Sequence, residues 1–137
     1  FITIFIARFN KLTRKLSFIN AGHNPPLLYY VKSQELKPLN SGCVGIGMLD
    51  ELPFINEEKI FIDTPVKILC YTDGLVELLH EEKMGVSWGT RFIEGKISNA
   101  STIGENIRSI IREQKIIQGN PAVFDDITML GVDFSGF

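Results

Sequence analysis

The chain has 137 residues, 45% hydrophobic and 22% charged, with a formal net charge of -2 at pH 7. That length holds one domain or part of one, and the apolar share excludes wholesale disorder. The charge balance excludes the basic footprint of a nucleic-acid binder, and no apolar run reaches the ~20 residues that cross a bilayer.

The opening stretch, FITIFIARFN, lacks an initiator methionine and the charged flank of a signal peptide. It reads as a chain cut inside an apolar run. Residues 2–8 and 15–19 predict a β-hairpin around a polar connection holding Asn10, Lys11 and Thr13. NAGHNPP, residues 20–26, is a turn: Gly22 permits positive φ, and Pro25 and Pro26 cannot donate to a ladder. Residues 27–32 and 36–39 predict a second strand pair around Ser33-Gln34. The glycine-rich stretch 41–48 lacks the third glycine and the βαβ context of a nucleotide fingerprint, so it reads as a tight turn beside a sheet. Further strands are predicted at 57–62 and 66–72, with Pro65 between them.

The second half turns helical. Residues 75–80 and 88–97 predict short helices, the second carrying Trp88 as a core anchor. Residues 102–117 predict the best helix. Thr102 and Glu105 fit a capping box, and Ile103, Ile107, Ile110 and Ile111 share one face. Gly119, Asn120 and Pro121 signal its end. A last strand is predicted at 127–132. Many antiparallel strands, then helices, then one strand argue for an α+β fold.

The chemistry-bearing residues are acidic. Asp73 ends the apolar run VKILCYT, where an uncompensated carboxylate is costly. It is a helix-capping turn residue, one half of a salt bridge, or a ligand for a hard cation such as Mg²⁺ or Mn²⁺. Asp125 and Asp126 carry the same ambiguity, and in an extended segment adjacent side chains face opposite ways. Cys70, inside an apolar run, reads as a reduced, buried thiol. Cys43 lies in an unrelated context, and this cysteine usage fits a reducing, cytoplasmic compartment. His23 reads as a loop-stabilising side chain, while His80 and Glu77 read as surface groups.

In order along the chain, NAGHNPPLLYY, VGIGM, ILCYTDGLVELL, W-G-x-R-F and DDITMLGV form a set of blocks. The set resembles the C-terminal part of the SpoIIE-like branch of the metal-dependent type 2C (PPM) protein serine/threonine phosphatases. The resemblance covers essentially all of residues 1–137 and is carried most specifically by YTDG and DDIT. It implies part of a two-sheet antiparallel β-sandwich flanked by helices, with two Mn²⁺ or Mg²⁺ ions in the intact domain. It implies Asp73 and Asp125 as metal ligands, Asp126 in a supporting role, and Gly74 as the residue that lets the backbone approach the metal site. No protein nucleophile is implied; the nucleophile is a water activated by the ions. The implied reaction is hydrolysis of phosphoserine or phosphothreonine on a regulatory protein, such as a regulator of sigma factors.

Two departures qualify that reading. The Gly-Asp and Asp-Val/Met-x-Gly blocks that supply the family's remaining ligands are absent, so the chain alone is expected to be inactive and to bind metal weakly. Missing strands leave edges that predict self-association. Before the TDG strand, Thr64-Pro65-Val66 stands where the family commonly has Pro-Gly-Asp. A rival reading is a non-catalytic phosphatase-like module used for protein interaction. A plainer one is a structural domain whose aspartates cap turns.

Overall fold

The computed structural model describes residues 1–80 and 86–136, with side chains 79–90 outside that description. Eight strands and three helices follow the order β1 (Ile4–Asn10), β2 (Lys15–Ala21), β3 (Leu27–Tyr30), β4 (Glu35–Pro38), β5 (Gly42–Cys43), β6 (Glu58–Phe61), β7 (Val66–Tyr71), α1 (Asp73–His80), α2 (Val86–Lys96), α3 (Ile103–Glu113) and β8 (Met129–Phe134). They form two four-stranded sheets. In the first, β2 pairs with β1, β5 and β6; in the second the order is β4-β3-β7-β8. All pairings are antiparallel except the short β2–β5 ladder. The α+β sandwich is therefore present, with the first hairpin in the register Ile4↔Ala21 to Asn10↔Lys15.

Alternation along the strands builds three layers. Leu16, Phe18, Leu28, Leu39, Ile62, Val66 and Ile68 fill the space between the sheets. Leu27, Tyr29, Leu69 and Tyr71 point the other way, onto Leu75 of α1, Ile93 of α2 and Ile103 and Ile110 of α3. Strand β7 is thus covered on both faces, which is why its sequence reads as one apolar run instead of an alternating one. Its lysine is the exception: Lys67 is 6% exposed, and its ammonium donates to the carbonyls of Ser98 and Ser101. A buried charge needs such partners, and these two carbonyls tie the approach to α3 onto the sheet.

The helices depart from their predicted limits for local reasons. Helix α3 starts as the capping box requires: Glu105 N donates to Thr102 Oγ1 at 3.2 Å, and Thr102 N donates to a Glu105 carboxylate oxygen at 2.7 Å. It stops at Glu113, short of residue 117, because Lys115 takes φ 52° and the Asn120 amide donates to the Gln114 carbonyl at 2.7 Å. Helix α1 begins at Asp73, two residues before its predicted start, and α2 at Val86. The Trp88 and His80 side chains lie outside the described residues. Strand β8 is displaced by two residues towards the C terminus, since Thr128 is held by Thr72 and the ladder runs from Tyr71↔Met129 to Val66↔Phe134.

Candidate functional site

The acidic stretches meet where β7 gives way to α1. Thr72 is the fastening. Its backbone N–H donates to the Thr128 carbonyl at 3.1 Å, and Thr128 N–H donates to Thr72 Oγ1 at 2.9 Å. The hydroxyl also lies 3.3 Å from the Asp126 carbonyl. This reciprocal pair lays the segment before β8 across the first turn of α1. Gly74 marks the closest approach: a Cβ there would stand 2.3 Å from the Asp126 carbonyl oxygen and 3.1 Å from that of Asp125. No side chain fits that gap, so glycine is required by proximity rather than by φ.

Asp73 is the first residue of α1 and is exposed. Its position in the first turn suits the helix dipole. Among the described residues no Lys or Arg pairs with it, and no α1 amide donates to its carboxylate; its partner is Asn24, whose Nδ2 donates to Oδ1. Asp125 is also exposed, and its Oδ1 accepts the N–H of Asp126 at 2.8 Å. Asp126 contributes its carbonyl to the Thr72 fastening, and its carboxylate is exposed. The backbones carrying Asp73 and Asp125 are thus brought together. Among the described residues, however, no group of three or more Asp, Glu, His or Cys gathers closely enough to hold an ion.

The NAGHNPP loop forms the neighbouring wall. Asn20 organises it: its Oδ1 accepts His23 N–H at 2.8 Å, and its Nδ2 donates to the Leu39 carbonyl at 3.0 Å. His23 Nδ1 sits 2.8 Å from the Asn24 carbonyl, which can only accept, so Nδ1 carries the proton. That is the loop-stabilising role expected of His23. Cys70 is a free thiol half-buried in the sandwich, and burial pushes its pKa up from 9.0, which keeps it protonated and a poor nucleophile. Glu77 is exposed on α1.

Sequence reasoning does not single out Asn24 or the Thr72–Thr128 pair. Asn24 is hidden in a loop whose composition announces only a turn. The threonines stand inside YTDG and DDIT, beside aspartates that carry the stronger chemical signal.

The donor set suits a hard cation. Asp73 and Asp125 are oxygen ligands open to solvent, and Mg²⁺ in particular is commonly held by one or two carboxylates with waters completing the shell.

The two-sheet α+β sandwich is similar in fold to solved type 2C phosphatase domains. The SiaA-PP2C domain of Pseudomonas aeruginosa superposes with a TM-score of 0.71 at 20% identity, over 97% of this chain and 52% of that one. The phosphatase domain of the cell-fate determinant SpoIIE from Bacillus subtilis, presoaked in Mn, gives 0.69 at 15% identity over 98% and 57%. The RsbU and RsbW domains of a Mycobacterium tuberculosis protein give 0.66 at 18% identity over 94% and 36%. The model of the stage II sporulation protein E (SpoIIE) family matches residues 1–135, and the chain belongs to that family. Protein IcfG of Synechocystis is 31% identical over 134 residues, 96% of this chain and 20% of IcfG. The chain therefore spans a fifth of that relative and between about a third and three fifths of these solved chains.

Proposed function

We propose that this chain is the C-terminal portion of a metal-dependent protein serine/threonine phosphatase domain that acts on a phosphorylated regulatory protein. The observation that carries the reading is the contact between the Asp73-Gly74 turn and the Asp125-Asp126 backbone, so close that only glycine fits at residue 74. Family membership and the likeness to solved phosphatase domains support the reaction class. In this reading Asp73 and Asp125 hold Mn²⁺ or Mg²⁺, Asp126 and Thr72 fix the second stretch against the first, and Gly74 admits it. Bound there, the ions supply Lewis-acid chemistry, activating water and neutralising phosphate oxygens. The chain's own residues supply placement: β7 and β8 are adjacent paired strands, and Thr72 and Thr128 fasten the ends from which the aspartates project.

Two carboxylates fill only part of a two-ion shell, so the chain by itself binds metal weakly and is inactive. Self-association through its unpaired strands, a cytoplasmic location and a substrate among sigma-factor regulators belong to the same proposal. Among the described residues no helix is long and apolar enough to cross a membrane. The Mn-presoaked structure of SpoIIE and a magnesium complex of RsbX support the choice of ions. Calorimetric titration with Mn²⁺ tests the reading. Weak binding in the unaltered chain, lost in Asp73→Ala and in Asp125→Ala, is expected; equal heats from all three proteins exclude a metal site at these residues.

A second reading is a non-catalytic phosphatase-like module used for protein interaction. It predicts no phosphate release from a phosphoserine peptide in Mn²⁺, even from a chain extended with the family's Gly-Asp and Asp-Val/Met-x-Gly blocks.

A further inference from the structure

Asn24 and Asp73 are 49 residues apart in sequence, yet the Asn24 amide donates to Asp73 Oδ1. An ionised carboxylate only accepts hydrogen bonds, so the amide nitrogen must be the group that faces it. We propose that Asn24 is a positioning residue for the metal site: it holds one oxygen of Asp73 and so presents the other to the cation. The inference rests on the metal reading of Asp73 given above.

The loop is built to keep Asn24 in place. Asn20 anchors it by accepting His23 N–H and donating to the Leu39 carbonyl, and Leu39 N–H in turn donates to the Pro26 carbonyl at 2.8 Å. The His23 ring then secures the Asn24 peptide by donating to its carbonyl at 2.8 Å. Pro25 and Pro26 follow directly, fixing φ where the chain enters β3. A stiff loop thus carries one amide to one carboxylate. Asp73 has no other hydrogen-bond or ion-pair partner among the described residues, so without Asn24 no such contact fixes its carboxylate. A ligand that must first be ordered binds its ion less tightly, and loss of such outer contacts typically costs 10–100-fold in metal affinity. The role assigned to Asn24 is distinct from ligation: its amide nitrogen points at the ligand and offers no lone pair to a cation.

Two measurements test this. In the first, Mn²⁺ affinity is followed by the electron paramagnetic resonance of free Mn²⁺, for the unaltered chain, Asp73→Ala and Asn24→Ala. The metal-free thermal midpoint of each is recorded alongside. The expected result is loss of binding in Asp73→Ala and roughly tenfold weaker binding in Asn24→Ala with an unchanged midpoint. Weakening in Asp73→Ala with none in Asn24→Ala overturns the positioning role and leaves the metal reading standing. Binding indifferent to Asp73→Ala overturns the metal reading and the positioning role with it. The second measurement holds even where Asn24→Ala disturbs folding. The Asn24 side-chain amide resonance is compared in the unaltered chain, Asp73→Ala and Asp125→Ala. It should move in the first variant and stay in place in the second; a resonance indifferent to Asp73→Ala overturns the proposal.

Discussion

At Gly74 the structure makes a demand on a single atom. A methyl group there would overlap the Asp126 carbonyl oxygen at 2.3 Å and its carbon at 3.0 Å, and both belong to backbone that Thr72 and Thr128 hold in place. Gly74→Ala should therefore destabilise the chain by roughly 1–3 kcal/mol, the usual range for forced overpacking. Gly95, in α2, is the control: a Cβ added there would meet nothing within 4 Å. Gly95→Ala should be neutral or stabilise by up to ~1 kcal/mol, because alanine is the better helix former. Urea midpoints of the two variants should move in opposite directions, or Gly74 alone should move. A Gly74→Ala protein as stable as the parent would mean that the two acidic stretches are not in contact. That the TDG glycine is a place of close backbone approach is implied by the family resemblance alone. What it approaches is not legible in the sequence, since a glycine names no partner and residues 74 and 126 are distant along the chain.

Among the elements, α3 shows how far local rules carry. Its start is readable because a capping box is a matter of four consecutive residues, and the structure contains both reciprocal hydrogen bonds. Thr102→Ala should cost about 1 kcal/mol in urea unfolding, the usual worth of an N-cap. An unchanged midpoint would mean that the sheet alone orders this helix. Its end falls earlier than the sequence predicts, since Gly119 and Pro121 are genuine stop signals but the left-handed Lys115 intervenes four residues before Gly119. The last strand is shifted for a similar reason. Residues 127–132 are apolar enough to pair, yet pairing begins only at Met129 because Thr128 is engaged by Thr72, a tertiary contact that no local pattern announces. The hairpins are clear because their turns and alternation are local. The three-layer stacking is accessible only through the family resemblance.

The two sheets are also linked by charge, and the link makes stability depend on pH. Lys37 of β4, in one sheet, pairs with Glu58 of β6, in the other, and Ser41 Oγ donates to the same carboxylate at 2.5 Å. Hydrogen bonds from Lys37 and then Ser41 hold the Glu58 carboxyl below its ordinary value of 4.5. A carboxylate whose folded pKa is depressed stabilises the fold above its unfolded pKa, and that contribution fades as pH falls through the folded value. Stability should thus decline below about pH 4.5, and Glu58→Gln should flatten that part of the profile while lowering the plateau above it. Both side chains are partly exposed, at 41% and 25%, so high salt should reduce the effect. Urea midpoints across this pH range check the sign; a Glu58→Gln profile parallel to the parent's throughout would remove Glu58 from the account.

For the molecule as a whole, the deciding feature is one open flank of the sandwich. Among the described residues, β1 pairs along its length only with β2, and β8 only with β7. Between them lies a cleft of about 290 Å³ lined by Phe5, Ala7, Phe9, Cys70, Leu130 and Val132, among others. Leu130 is 60% exposed and Val132 37%, although their neighbours Ile68 and Leu16 are buried. An unpaired strand beside uncovered apolar side chains is a template for another strand. If a second copy supplies it, the chain should sediment as a dimer or larger, and Leu130→Lys should shift it to monomer. Because Leu130 already faces solvent, the substitution should change monomer stability by no more than ~0.5 kcal/mol, so a loss of assembly with an intact circular dichroism spectrum would locate the contact on β8. A parent chain that sediments as a monomer at every concentration would show that this flank does not recruit a second copy. Assembly that survives Leu130→Lys would instead move the contact to the outer face of the first sheet, where Ile6 and Phe61 are exposed.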